Sequence, residues 1–343
     1  IVNGRKIDLH FSSSQKETMQ LLIEPKNKFD LFTIKYPKIE EFGNKQLSMV
    51  WLPGEISYDK DRQHFEELKD ERIRHILKRI IGFFFTSDGI VFANLDENFT
   101  EEFKAPEMKY LFSAISAIES IHAKSYGFQL DSLITNVEEK QEIMDAIVNI
   151  PSIRKMAEFA IKYMDQSHPL VNRMVAFLCI EGIFFSSPFA FIFWIRKYMP
   201  KKFPGIVAAN DFISRDENLH CEANAYVINL FAEEGQLDFK NAEKVFREAT
   251  QIAIEFAEDT FPNDLLGMTA SMMITHIKFV ANRWAQIIGL KRLYDKAQKT
   301  PFAFMDNIAL TKKDNMFESQ TLTDYQGAPN MEVHFDYSSA ENF

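Results

Sequence analysis

AIESIHAKSY (117–126) and SRDENLHCEA (214–223) decide the reading of this chain, because each carries Glu-x-x-His: Glu119 with His122, and Glu217 with His220. A helix turns about 100° per residue, so residues three apart share a face roughly one turn up. Each pair therefore aims one carboxylate and one imidazole at a common point. Two more carboxylates stand alone in apolar runs: Asp88 in GFFFTSDGIVFANL and Glu181 in FLCIEGIFFSS. Buried there, each is costly unless it is paired or binds a metal. Two such pairs plus one carboxylate from each of two other helices are the ligand set of a dinuclear site in a helical bundle. The set is oxygen-rich and hard, suited to iron and equally to manganese, and unlike structural zinc. Its four negative charges balance two divalent ions, leaving an oxygen-derived oxo or hydroxo bridge to compensate oxidation. A single Glu-x-x-His is a weak signal, commonly a surface ion pair. The joint pattern carries the reading.

Composition agrees. Of 343 residues 46% are apolar and 33 are Phe, enough for one large helical core. The formal charge of −10, with no basic run, argues for a soluble acidic protein that binds no nucleic acid. Cys179 and Cys221 are too few for a disulfide framework and point to a reducing, cytoplasmic compartment. The most apolar run, Val175–Trp194, is interrupted by Glu181, Gly182, two serines and Pro188, so no membrane span is expected. No signal-peptide pattern is read, and a first residue of Ile leaves the native start open.

Helical periodicity predicts helices at 59–92, 104–134, 138–148, 151–166, 168–198, 206–234, 239–258, 264–288 and 290–298, an all-α chain. Residues 1–50 read as an extended arm, 51–306 as the helical domain, and 307–343 as a polar, flexible tail that orders on a partner. That tail contains Tyr325 and ends in Phe343.

One tyrosine shares the ligand face. Tyr126 follows His122 by four residues and Glu119 by seven, one turn from the ligands. If neighbouring helices run antiparallel, Phe84, Phe185, Phe189 and Ile213 fall at its level. Such an apolar cage excludes water and reductants, which a long-lived phenoxyl radical requires.

From about Trp51 to Gln326 the chain resembles the small subunit of class I ribonucleotide reductase, most closely the eukaryotic and viral branch. FFFTSDGIVFANL, IESIHAKSY, IEGIFFSSPFAFIFWIRK and ISRDENLHCEA carry the resemblance, extended by FVANRW, PFAFMDNIAL and MFESQTLTDYQ. The resemblance implies a ferritin-like bundle and a homodimer. It assigns Asp88, Glu119 and His122 to one metal, Glu181, Glu217 and His220 to the other, and the stable radical to Tyr126. It further implies that Trp51 conducts the radical, that Asp216 links Trp51 to the metal-bound His122, and that Tyr325 relays it across to a large catalytic subunit docked by the C-terminal tail. There ribonucleotides become deoxyribonucleotides. A dimetal oxidase or desaturase on the same fold, or a metal-storage protein, are the rival readings; neither gives Tyr325 a role.

Overall fold

The computed structural model describes residues 20–27, 29 and 33–305. Tyr325 and the tail at 307–343 lie outside the described residues, as do residues 1–19, 28 and 30–32 of the arm. Among the described residues the structure is helical, without a β-strand. The helices are α1 (Pro37–Ser48), α2 (Asp59–Glu66), α3 (Glu71–Asn94), α4 (Thr100–Glu102), α5 (Pro106–Leu133), α6 (Val137–Met144), α7 (Ala146–Asn149), α8 (Pro151–Met164), α9 (Leu170–Cys179), α10 (Ser186–Tyr198), α11 (Pro204–Glu233), α12 (Phe239–Thr260) and α13 (Ala270–Ile287).

Two long helices form the centre. Proline opens both α5 and α11, where its fixed φ suits the first turn and its missing N–H costs nothing. On α5 the buried positions Met108, Leu111, Ile115, Glu119, His122, Tyr126 and Leu130 recur every three or four residues. The face that enters the core is thus the face that carries the polar ligands. Helices α3, α9, α10 and α11 close the core around it with one continuous cluster of buried side chains.

The structure departs from the periodicity reading at several places, each with a local cause. Residues 37–48, read within the extended arm, form α1, which packs on α5. The helix expected at 59–92 is two, because Asp70 accepts from the Arg72 N–H at 3.0 Å and starts α3 afresh. The 138–148 helix divides at Asp145. The last long helix begins at Ala270, not 264, where Thr269 caps the Met272 N–H at 3.2 Å. No helix forms at 290–298. There the amide of Asn282 accepts from the Leu293 and Tyr294 N–H groups and donates to the Tyr294 and Ala297 carbonyls, replacing helical hydrogen bonds.

The most consequential departure lies in the predicted 168–198 helix, which is broken by a π-helical segment, Ile180–Phe184, between α9 and α10. A π turn inserts one extra residue and re-aims the side chains around it. Gly182 sits inside it, and a Cβ there would lie 2.7 Å from Cδ1 and Nε1 of the Trp284 ring. We expect Gly182→Ala to destabilise the fold by about 1–3 kcal/mol, the usual range for overpacking, as read from the midpoint of denaturant unfolding. The apolar stretch Leu170–Tyr198 is long enough to cross a membrane, but its most apolar window is 100% buried within the protein.

Candidate metal centre

Four elements deliver the predicted ligands to one place: Asp88 from α3, Glu119 and His122 from α5, Glu181 from the π segment, and Glu217 and His220 from α11. All six are at most 3% exposed. They form two overlapping groups, Asp88 with Glu119 and His122, and Glu119 with Glu181, Glu217 and His220; within each, one donor atom per residue lies within 4.8 Å of the others.

The two Glu-x-x-His pairs interlock. Glu119 places Oε2 3.4 Å from His122 Nδ1 and Oε1 3.0 Å from His220 Nδ1. Glu217 does the reverse, with Oε1 3.3 Å from His122 Nδ1 and Oε2 3.5 Å from His220 Nδ1. Each glutamate thus spans both halves of the site, while Asp88 lies in the first group and Glu181 in the second, 3.7 Å from His220 Nδ1. Helical spacing pairs each glutamate with its own histidine; the facing of each toward the other histidine comes from packing α5 against α11.

Both oxygens of Asp88, Glu119, Glu181 and Glu217, with Nδ1 of His122 and both ring nitrogens of His220, are buried without a hydrogen-bond partner. So many orphaned acceptors in one cavity fit two cations and little else. Without metal, protons take their place. Burial, then the charges of Glu119 and Glu217, push Asp88 well above the carboxylate range. Burial likewise pushes Glu181 up to about 8. Burial works against charged imidazoles, yet the surrounding carboxylates hold His122 and His220 well up. Metal binding must displace these protons.

The second predicted constellation also assembles. The Trp51 indole N–H donates to Asp216 Oδ2 at 3.0 Å, and His122 Nε2 lies 3.3 Å from the same oxygen. With Nδ1 turned to the ligand cavity, Nε2–H is the donor to Asp216, which fixes the tautomer. Burial opposes the Asp216 charge, but His122, Arg215 and the Trp51 N–H hold its pKa below the usual range. Arg215 went unread in the sequence, although it directly precedes Asp216. Its guanidinium donates to Asp216 Oδ1 at 3.0 and 3.2 Å and to the Met49 carbonyl at 2.7 Å, tying both ends of the Trp51–Asp216 contact.

Tyr126 is fully buried. Its ring stacks on Phe84 with centroids 4.4 Å apart and planes at 9°, and Phe84 in turn meets Phe185 at 5.7 Å and Phe189 at 5.4 Å. Ile213 is also completely buried. The Tyr126 hydroxyl has no hydrogen-bond partner. Burial, followed by the charges of Asp88, Glu217 and Glu119, drives its pKa well above that of a free phenol. Behind it runs a buried polar chain that the sequence reading missed: Tyr58 Oη lies 3.2 Å from Ser125 Oγ, Gln129 donates to the same oxygen, and Asn210 donates to Gln129. Only the hydrophilic residues amid the α5 and α11 apolar faces signal it.

Residues 28–301 match the family described as "Ribonucleotide reductase, small chain". The ribonucleoside-diphosphate reductase small chain of Encephalitozoon cuniculi is 37% identical over 317 residues, covering 92% of this chain and 94% of that protein. The ribonucleoside-diphosphate reductase small subunit of Dictyostelium discoideum is 36% identical over 300 residues, covering 88% and 87%. Among solved structures, the ribonucleotide reductase Rnr4 homodimer of Saccharomyces cerevisiae superposes with a TM-score of 0.71 at 26% identity, covering 85% of this chain and 92% of that one.

Proposed function

The chain belongs to the ribonucleotide reductase small-chain family, and from that premise we propose that it generates and stores a tyrosyl radical on Tyr126 for a large catalytic subunit that reduces ribonucleotides. Asp88, Glu119 and His122 would hold one metal ion and Glu181, Glu217 and His220 the other, with Glu119 and Glu217 placed to reach both. Iron is the proposed occupant; manganese suits the same donors. When bound, the ions supply the dioxygen-activating chemistry that withdraws one electron from the neighbouring phenol.

The chain's own residues do the rest. The Phe84 stack and the rings behind it keep water and small reductants from Tyr126. Asp216 orients His122 through Nε2 and holds the Trp51 indole, so that an electron and a proton have one defined exit. Arg215 ties Asp216 to the Met49 carbonyl, two residues before Trp51. The observation that carries the reading is this pairing of a sheltered, unpartnered phenol with a hydrogen-bonded Trp51–Asp216–His122 line that ends at the ligand cluster. A substrate oxidase would need space beside Tyr126 where aromatic rings stand. The decisive experiment is electron paramagnetic resonance with metal analysis after anaerobic ferrous loading and air exposure. A narrow, persistent phenoxyl signal with about two irons per chain is expected; two irons without a radical would refute the assignment.

The proposed division is an arm at 1–50, a radical-generating domain at 51–306 and a docking tail at 307–343, in which Tyr325 relays the radical. A homodimer is proposed from the likeness to the Rnr4 homodimer. A cytoplasmic location accords with two free, buried cysteines. Deleting 325–343 is expected to leave the radical signal intact and to abolish turnover with the large subunit; retained turnover would remove the tail's role.

A further inference from the structure

One segment grips α11 at two points. At its start, Trp51 donates to Asp216. Further along, α2 meets the first turn of the same helix. There the Asp61 carboxylate accepts from the Gly205 N–H at 3.0 Å and the Ile206 N–H at 2.8 Å, while His64 Nδ1 accepts from the Phe203 N–H at 3.1 Å. These are donors that a helix start leaves without internal partners. The fit leaves no slack: a Cβ on Gly205 would sit 2.5 Å from the Ser57 carbonyl and 2.9 Å from the Tyr58 ring. Phe203 itself is held left-handed at φ 53°, a conformation that side chains other than glycine adopt only under constraint.

A backbone N–H can only donate, so His64 Nδ1 must be unprotonated for this bond to exist. Helix α11 runs unbroken from Pro204 to Glu233, and Asp216 lies about 16 Å along it from Gly205 at 1.5 Å per residue. A displacement of the first turn along the axis is therefore carried to Asp216.

We propose that His64 is a positioning residue: its unprotonated Nδ1, together with Asp61, seats the start of α11 and thereby keeps Asp216 within hydrogen-bonding reach of Trp51. What this seating serves rests on the transfer role proposed above for Trp51; the seating itself does not. Protonation at Nδ1 removes the acceptor and puts a positive charge at the positive end of the helix dipole. The charged groups around the imidazole are Lys60 and Asp61 on α2, Glu67 just beyond it, and Lys202, which pairs with Glu67 at 3.6 Å in the turn before α11. From α2, Arg62 points away, to the Asp131 and Ser132 carbonyls at the end of α5. Burial, then Lys202, with Lys60 adding and Glu67 opposing, hold His64 below its ordinary 6.5. The unfolded chain therefore takes up this proton first. The clamp is intact above the ordinary histidine value and is lost as pH falls through the window beneath it.

The test uses metal-loaded, full-length protein. Ultraviolet resonance Raman difference spectra, wild type minus Trp51→Phe, isolate the Trp51 indole N–H band. In the wild type this band is expected to shift toward a weaker hydrogen bond between about pH 7.5 and about pH 5.5. Amide exchange across 203–206, corrected for intrinsic pH dependence, should quicken about tenfold over the same range. His64→Asn offers an acceptor that does not titrate and should abolish both responses; His64→Phe, which offers none, should show the weakened band at both pH values. A wild-type band that does not move, or a His64→Asn variant that follows the wild type, would overturn the proposal. So would faster exchange at 203–206 with Trp51 unmoved, since the first turn would then fray alone. Should His64→Phe fail to fold, the wild-type and His64→Asn comparison still decides. Normal turnover in Trp51→Phe would instead reject the transfer role and leave the clamp standing.

Discussion

Tyr126→Phe is expected to eliminate the radical signal and to cut turnover with the large subunit by about 10³-fold or more, the scale of losing a group that itself reacts. The same substitution should leave both ions bound and the fold unharmed, and this second half gives the prediction its force. The Tyr126 hydroxyl is buried without a hydrogen-bond partner, so removing it strands no neighbour. The phenyl ring retains the stack on Phe84 at 4.4 Å. Stability should therefore change by less than about 1 kcal/mol, or rise slightly. Paramagnetic resonance, metal analysis and calorimetry on one preparation check all three. A narrow persistent radical in the variant would place the oxidation elsewhere. A large loss of stability would show that the hydroxyl has a partner after all.

Glu119→Gln should be the most damaging single ligand change, weakening metal binding at both positions by more than about a hundredfold. The reason is geometric: Glu119 directs one oxygen toward each histidine and belongs to both donor groups, whereas Glu181 belongs to one. Glu181→Gln is therefore expected to retain one ion where Glu119→Gln retains none, as measured by metal content after desalting. In the metal-free protein, burial raises the Glu119 pKa, but His122 and His220 outweigh it and hold it down to about 2. A carboxylate depressed in the folded state contributes stability above its ordinary value, and that contribution fades as pH falls from about 4.5 toward about 2. Metal-free Glu119→Gln should lack this acid-dependent component. Equal metal loss in the two variants would mean that Glu119 serves one ion only.

Much of the site was legible because helical geometry is local. A spacing of three guarantees a shared face, so Glu119 with His122 and Glu217 with His220 needed no tertiary information. Asp88 and Glu181 stood out because charge in an apolar run demands a partner. The cage could be anticipated one turn at a time, and Phe84 does stack on Tyr126. Boundaries were less legible wherever a side chain from elsewhere substituted for a helical hydrogen bond. Asn282 does so for residues near 293–297, and no pattern within that stretch announces it.

The sequence by itself determined the class of the protein: which faces are buried, which side chains lie on them and, from six donors of that chemistry, what kind of centre they compose. Tertiary structure alone decided how those donors are shared. The crossing of Glu119 and Glu217 between two histidines, the π turn that aims Glu181, the reach of Arg215 to the Met49 carbonyl, and the grip of α2 on the helix of Asp216 depend on contacts between segments distant in the chain. Periodicity fixes direction about a single helix axis; the distance between two axes, and the slide of one along the other, are set only when both are packed.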